Sequence, residues 1–147
     1  MGGKMSRTKG HNFERRIASE LRELWPGADV HRSSQADRAR ESDVVIDGAA
    51  PEIARALWLE LQDARDPNPN GKLAQAEFDI AKLAEPRTER VPVVVWHRIQ
   101  ERRTQVSMRF AELVKIVDRA TVVEDPTITL DWEAFKRILG ALQGETT

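Results

Sequence analysis

Cysteine is absent from the 147 residues. That excludes disulfides, thiolate catalysis and cysteine-ligated zinc, and nothing calls for an oxidising compartment. No apolar run reaches the length that crosses a bilayer, so no membrane partner is expected. The start, Met1-Gly2-Gly3-Lys4-Met5-Ser6, lacks the apolar core of a secretion signal, and an intracellular, cytoplasmic location is the expectation. His11, His31 and His97 stand at no metal-ligand spacing, which argues against a histidine zinc site. Net charge is also nearly missing, at −1, and that argues against a blanket nucleic-acid binder.

What is present is a soluble, highly charged composition, 40% hydrophobic and 32% charged, of a length that fits one domain. The charge is unevenly spread. Residues 1–40 carry nine Lys/Arg against five acids, a balance of +4 that leaves −5 for the remainder. A basic N-terminal third suits a face that meets phosphate; an ordinary solvated surface with chance asymmetry is the alternative.

Periodicity sets out the elements. Residues 1–9 are polar and basic and read as a flexible tail. Phe13, Ile17, Leu21 and Leu24 recur at helical spacing over 11–25, and Pro26-Gly27 stops that helix. Residues 28–33 suit a short strand, 35–41 a charged loop, and Asp43-Val44-Val45-Ile46-Asp47 a strand ended by Gly48 and Pro51. A second strand spans 56–62, and Asp66-Pro67-Asn68-Pro69-Asn70-Gly71 is a loop. The spacing then predicts a helix over 72–84 with Leu73, Ala76, Ile80 and Leu83 inward. The apolar run Val91-Pro92-Val93-Val94-Val95-Trp96 reads as a buried strand, 105–108 as a further one, and 110–117 as a helix with Phe110, Leu113, Val114 and Val117 apolar. A linker with Glu124-Asp125-Pro126 precedes a last helix capped by Asp131, with Trp132, Phe135, Ile138, Leu139 and Leu142 on one face. The expected class is α/β: a mixed central sheet flanked by helices on both faces.

Chemistry concentrates in Trp58-Leu59-Glu60-Leu61-Gln62. Side chains alternate along a strand, so Leu57, Leu59 and Leu61 point one way and Trp58, Glu60 and Gln62 the other. Antiparallel pairing with the strand that Asp43 opens brings Asp43 beside Glu60. Two carboxylates so close repel unless a cation joins them. With oxygen donors and no cysteine or histidine cluster, Mg²⁺, or Mn²⁺ as substitute, is favoured. The alternative is that Asp43 is a turn acid and Glu60 and Gln62 the wet face of a half-buried strand.

An ordered set of motifs adds to this. Lys9-Gly10-His11-Asn12-Phe13-Glu14-Arg15 resembles the K-G-x-x-F-E-R opening of archaeal-type Holliday-junction resolvases, and Arg32-Ser33-Ser34 their Arg/Ser-rich segment. Ser42-Asp43-Val44-Val45 looks like the strand of their first catalytic acid, and Trp58-Leu59-Glu60-Leu61-Gln62 like their W-I-E-x-K strand. Pro67-Asn68-Pro69 with Lys72-Leu73-Ala74-Gln75-Ala76 is similar to the loop and helix of phage versions. Pro92-Val93-Val94-Val95 and Val106-Ser107-Met108 match later strands. The resemblance covers roughly residues 9–117.

The resemblance implies a restriction-endonuclease-like fold of the PD-(D/E)xK superfamily and a nuclease domain over 10–118. Residues 119–147 are then a C-terminal extension whose amphipathic helix packs on the core or across a dimer axis. It implies Asp43 and Glu60 as metal ligands, joined directly or through water by Glu14, with Ser33 or Ser34 near the scissile phosphate. The partners implied are branched DNA, a four-way junction above all, and a second copy of the chain; a phage origin would make the location the host cytoplasm. Lys4, Arg7, Lys9, Arg15, Arg32, Lys72 and Gln75 are the candidate DNA contacts. Gln62 departs from most relatives, which carry lysine there, and is similar to some restriction endonucleases of the superfamily that carry glutamine. A neutral amide positions water but supplies no full charge, and Lys72 is the nearest substitute. Other DNA substrates (repair, restriction, flap processing) and a catalytically weakened DNA-binding protein of the same fold are the alternatives, as is an unrelated α/β protein.

Overall fold

A computed structural model describes residues 2–34, 41–83, 89–118 and 127–142, with side chains described for 10–34, 41–83, 89–109, 111–116, 131–133 and 135–142. In chain order the elements are α1 (Gly2–Leu24), β1 (Ala28–Arg32), β2 (Val44–Gly48), α2 (Glu52–Arg55), β3 (Leu57–Ala64) and α3 (Pro69–Ala81). They continue with β4 (Val91–Arg98), β5 (Thr104–Arg109), α4 (Phe110–Asp118), β6 (Thr127–Asp131) and α5 (Trp132–Gly140). The fold is α/β, with a six-stranded mixed sheet in the order β1-β2-β3-β4-β5-β6.

A helical connection makes a parallel pair possible but does not dictate one: β5 and β6 are antiparallel although α4 lies between them. β4 lies parallel to β3, with the chain crossing back through α3, while every other neighbouring pair is antiparallel. The parallel ladder runs the full length of both strands, from Leu57 opposite Val91 to Ala64 opposite Arg98.

Both sheet faces are covered. One face carries Leu57, Leu59 and Leu61 of β3 with Val91, Val93 and Val95 of β4. These pack with Phe13, Ile17 and Leu21 of α1, Leu113 and Ile116 of α4, and Phe135 and Leu139 of α5. On the other face, Leu73 of α3 clusters with Val94 and Trp96. β4 is therefore apolar on both sides, which is why its sequence reads as an unbroken hydrophobic run. Removing each such side chain from water contributes about 1.5–3 kcal/mol.

Several elements differ from expectation. α3 spans Pro69–Ala81 rather than 72–84: Pro69-Asn70-Gly71, expected in the loop, form its first turn because Asn68 caps it and Pro69 suits the first helical position, and Ile80 and Leu83 are half-buried where burial was expected. α1 begins at Gly2, so the backbone expected as a tail is helical: no proline interrupts 2–24, and a helix already nucleated over its apolar stripe propagates readily. α2 is a single turn entered from Pro51, too short to show a period. β6 replaces the end of the expected linker; Thr127-Ile128-Thr129-Leu130 does alternate, but the preceding Glu124-Asp125-Pro126 disguised it. In α4 the buried stripe includes Ile116, 1% exposed, rather than the half-exposed Val114. Residues 35–40 of the loop expected over 35–41, and the linker around Pro126, lie outside the described residues. Among the described residues no helix is long and apolar enough to cross a membrane.

Candidate metal and phosphate site

The site grows from a place where one ladder stops. β2 and β3 are joined by a single described pair, Val44 with Leu59, both buried in the core. One residue earlier on β2 the ladder is taken over by a side chain: the Leu61 amide donates to Asp43 Oδ2 at 2.9 Å. Antiparallel register places Asp43 opposite Glu60, and both face the α3 side of the sheet.

Glu60 is held by its strand neighbour on the same face, Trp58, whose indole Nε1 donates to Glu60 Oε1 at 2.7 Å. Burial pushes the Glu60 carboxyl up to about 8, and the charge of Asp43 and a hydrogen bond between the two carboxyl groups push in the same direction. The Trp58 bond and the Lys72 ammonium pull it partly back. At neutral pH Glu60 therefore keeps its proton, since burial beside a like charge disfavours its ionised form.

Beside Glu60 opens a cavity of about 300 Å³ lined by Glu60, Gln62, Asn68, Lys72, Gln75, Ala76 and Asp79. Lys72 Nζ lies 3.9 Å from Asp43 Oδ2. Gln62 lines this space with its acceptor engaged. Its Oε1 accepts from the Asn68 amide at 3.0 Å, and Asn68 is the N-cap of α3, accepting from Gly71 N at 3.1 Å. Gly71 is required there, since a Cβ would lie 2.5 Å from Asn68 Nδ2. Gln75 donates to Asp79 one helical turn away at 2.9 Å.

The donor set fits a hard divalent cation. A divalent ion beside Asp43 would take the place of the Glu60 proton, and oxygen ligands suit Mg²⁺ or Mn²⁺. Among the described residues no group of three or more His, Cys, Asp or Glu is placed to hold an ion. The chain would therefore give two carboxylates and leave the other positions to water and phosphate, as Mg²⁺ sites commonly do.

The remaining candidates separate into near and far. Glu14 Oε2 accepts from Arg32 Nε at 2.9 Å and so ties α1 to β1. Ser33 donates its backbone amide to the Asp43 carbonyl at 3.1 Å, and its buried Oγ has no hydrogen-bond partner among the described residues. Ser34 is exposed. Arg15 is exposed on α1, within 3.5 Å of Asn12 Oδ1. The side chains of Lys4, Arg7 and Lys9 lie outside the described residues.

Several residues escaped sequence reasoning. Asn68 and Asp79 frame the cavity; the Asn-Pro-x-Gly cap was the available signal for the first. Arg65, Arg102 and Arg103 are exposed around the end of the sheet toward which Glu60 and Gln62 lead. There the β4–β5 hairpin continues past β3, anchored by the Ile99 amide on the Ala64 carbonyl at 2.9 Å. His97 stiffens the hairpin by bonding Asp63 at 2.9 Å through Nδ1 and the Glu101 carbonyl through Nε2. Only pairing, not local composition, reveals that these arginines share an end with the acids.

No protein-family model matches this chain, and no curated protein matches it.

Proposed function

We propose that the chain is a Mg²⁺-dependent DNA endonuclease of the PD-(D/E)xK type that resolves four-way junctions as an intracellular homodimer. The observation that carries the reading is the meeting of Asp43, at the start of β2, with Glu60 of β3, which lines a cavity and is raised to about 8. Strongly perturbed acids in a concave site mark function more often than structure. The order of motifs from Lys9 to Met108 supplies the family, and the family supplies the junction.

A divalent cation bound at this pair supplies Lewis-acid chemistry, withdrawing charge from a phosphate oxygen and acidifying the attacking water. The chain's own groups prepare that chemistry. Leu61 N fixes Asp43, and Trp58 Nε1 fixes Glu60, so neither carboxylate has to be ordered when substrate arrives. Ser33 keeps a spare donor beside the Asp43 segment for a phosphate oxygen. Exposed Arg15, Arg65, Arg102 and Arg103 meet backbone phosphates without reading sequence, which suits recognition by shape. Cleavage yields a 5′-phosphate and a 3′-hydroxyl.

Cleavage of a synthetic four-way junction in Mg²⁺ or Mn²⁺ tests the reading, with linear duplex, flap and single strand alongside. Paired symmetric nicks on the junction support it, and preference for linear DNA transfers the activity to another substrate. Asp43→Asn is expected to abolish cleavage and to leave junction binding unchanged or stronger, because an anion near phosphate is removed; cleavage at the parent rate sinks the assignment. The engagement of Gln62 Oε1 by the Asn68 amide, where no ammonium stands, favours a second reading, a DNA-binding protein with weakened catalysis. It requires junction binding without nicks and no rescue by Gln62→Lys.

A further inference from the structure

Three features of the cavity belong together. Gln62 lies on the metal-facing side of β3, yet its acceptor is spent on Asn68 N. Asn68 caps α3, and its cap bond reaches Gly71, the residue before Lys72. From that first turn Lys72 reaches back over the strand to stand 3.9 Å from Asp43, lining the same cavity as Glu60.

We propose that Lys72 is the catalytic cation of this site and that Gln62 is a positioning residue, acting through Asn68 to hold the start of α3 where Lys72 faces the acidic pair. The inference rests on the nuclease reading and says which residue answers the charge that builds up on the phosphate. Among the residues lining the cavity Lys72 is the one cation, set against Glu60 and Asp79. Phosphate entering an acidic cavity needs such a counter-charge, and a preformed one stabilises the transition state without rearrangement. The ammonium is held but not locked: 3.9 Å is the outer edge of an ion pair, and the Lys72 side chain remains 32% exposed. It is therefore free to trade Asp43 for a phosphate oxygen. Gln62 has a mechanical role of the opposite kind, with both ends of its linkage fixed by bonds of 3.0 Å and 3.1 Å.

The experiment is single-turnover junction cleavage by the full chain, with junction binding measured in Ca²⁺ and Mn²⁺ binding measured by calorimetry without DNA. Lys72→Met is expected to slow cleavage about 100-fold or more while changing junction binding only about threefold. Lys72→Arg should recover about tenfold of the loss, because a cation returns in an altered geometry. Gln62→Ala should slow cleavage and speed hydrogen exchange at the Lys72 and Leu73 amides; Gln62→Lys in the Lys72→Met background should recover cleavage by returning a cation to the cavity. Without DNA, Lys72→Met should bind Mn²⁺ several-fold more tightly, since a cation beside Asp43 is gone.

If the parent cuts and Asp43→Asn does not, but Lys72→Met cuts at the parent rate, the inference fails and the nuclease reading stands. Equal losses in cleavage and junction binding, unrelieved by Lys72→Arg, make Lys72 a phosphate anchor and overturn the catalytic role. Unchanged Mn²⁺ affinity overturns the placement beside the acids. A parent chain that cuts no DNA in either metal overturns both readings, and melting curves of each variant separate misfolding from these outcomes.

Discussion

Replacing Glu60 with glutamine is expected to stabilise the metal-free protein in neutral and alkaline solution. The unfolded chain releases this proton near the ordinary 4.5, while the folded chain keeps it to about 8 because of burial first and Asp43 second. Between those values the native state binds more protons than the unfolded state, so its stability falls as pH rises; below 4.5 both states are protonated and the penalty disappears. At about 1.4 kcal/mol per pH unit the window has a ceiling of roughly 5 kcal/mol at pH 8, and relaxation around the partly buried group lowers that to a few kcal/mol. Glutamine removes the charge and keeps an oxygen for the Trp58 indole. Urea unfolding in a chelator, from pH 4.5 to above pH 8, measures the effect. The variant should exceed the parent by about 2–4 kcal/mol at the alkaline end and match it at the acid end. Mn²⁺ should then restore the parent and leave the variant unmoved. Parallel pH curves for the two proteins would refute the crowding of the carboxyl groups.

Gly71→Ala drives a methyl into Asn68 and should remove the α3 cap, a loss of about 1–2 kcal/mol in urea unfolding, with slower cleavage. Arg102→Ala with Arg103→Ala should lower the slope of log binding constant against log salt by about 1–2 while Mn²⁺ affinity stays constant; an unchanged slope removes the hairpin from the DNA surface. Phe135→Ala empties a fully buried position beneath α5 and should destabilise the chain by about 3–5 kcal/mol, which urea unfolding reads directly. A small effect there would mean that α5 is not part of the core.

The parts legible in sequence were those governed by period. Phe13, Ile17 and Leu21 announced the buried side of α1, and Leu57, Leu59 and Leu61 divided β3 so cleanly that the face of Glu60 followed. Asp43 could be set beside it because an antiparallel neighbour was the natural partner of an adjacent strand. What stayed hidden depended on contacts between distant segments. Glu14 stands on the expected helix, yet its carboxylate goes to Arg32, and no spacing announces a bond across 18 residues. The terminal helix left core and dimer axis open in sequence. In the fold Trp132 Nε1 and Lys136 Nζ both reach Glu20 of α1, at 2.9 and 3.2 Å, and the helix seals the main core. Gln62 looked like a lost lysine; its bond to Asn68 shows it tying the loop to the strand.

The thin seam between β2 and β3 has a reach beyond the sheet. Because one residue pair laces the two strands, the gap between the acids is governed from underneath, by how Val44 and Leu59 seat against the helices on the far side. Trimming either aliphatic chain would slacken the joint and let the carboxylates drift apart without touching a polar atom. On the proposed reading, metal affinity would thus be partly a property of hydrocarbon packing.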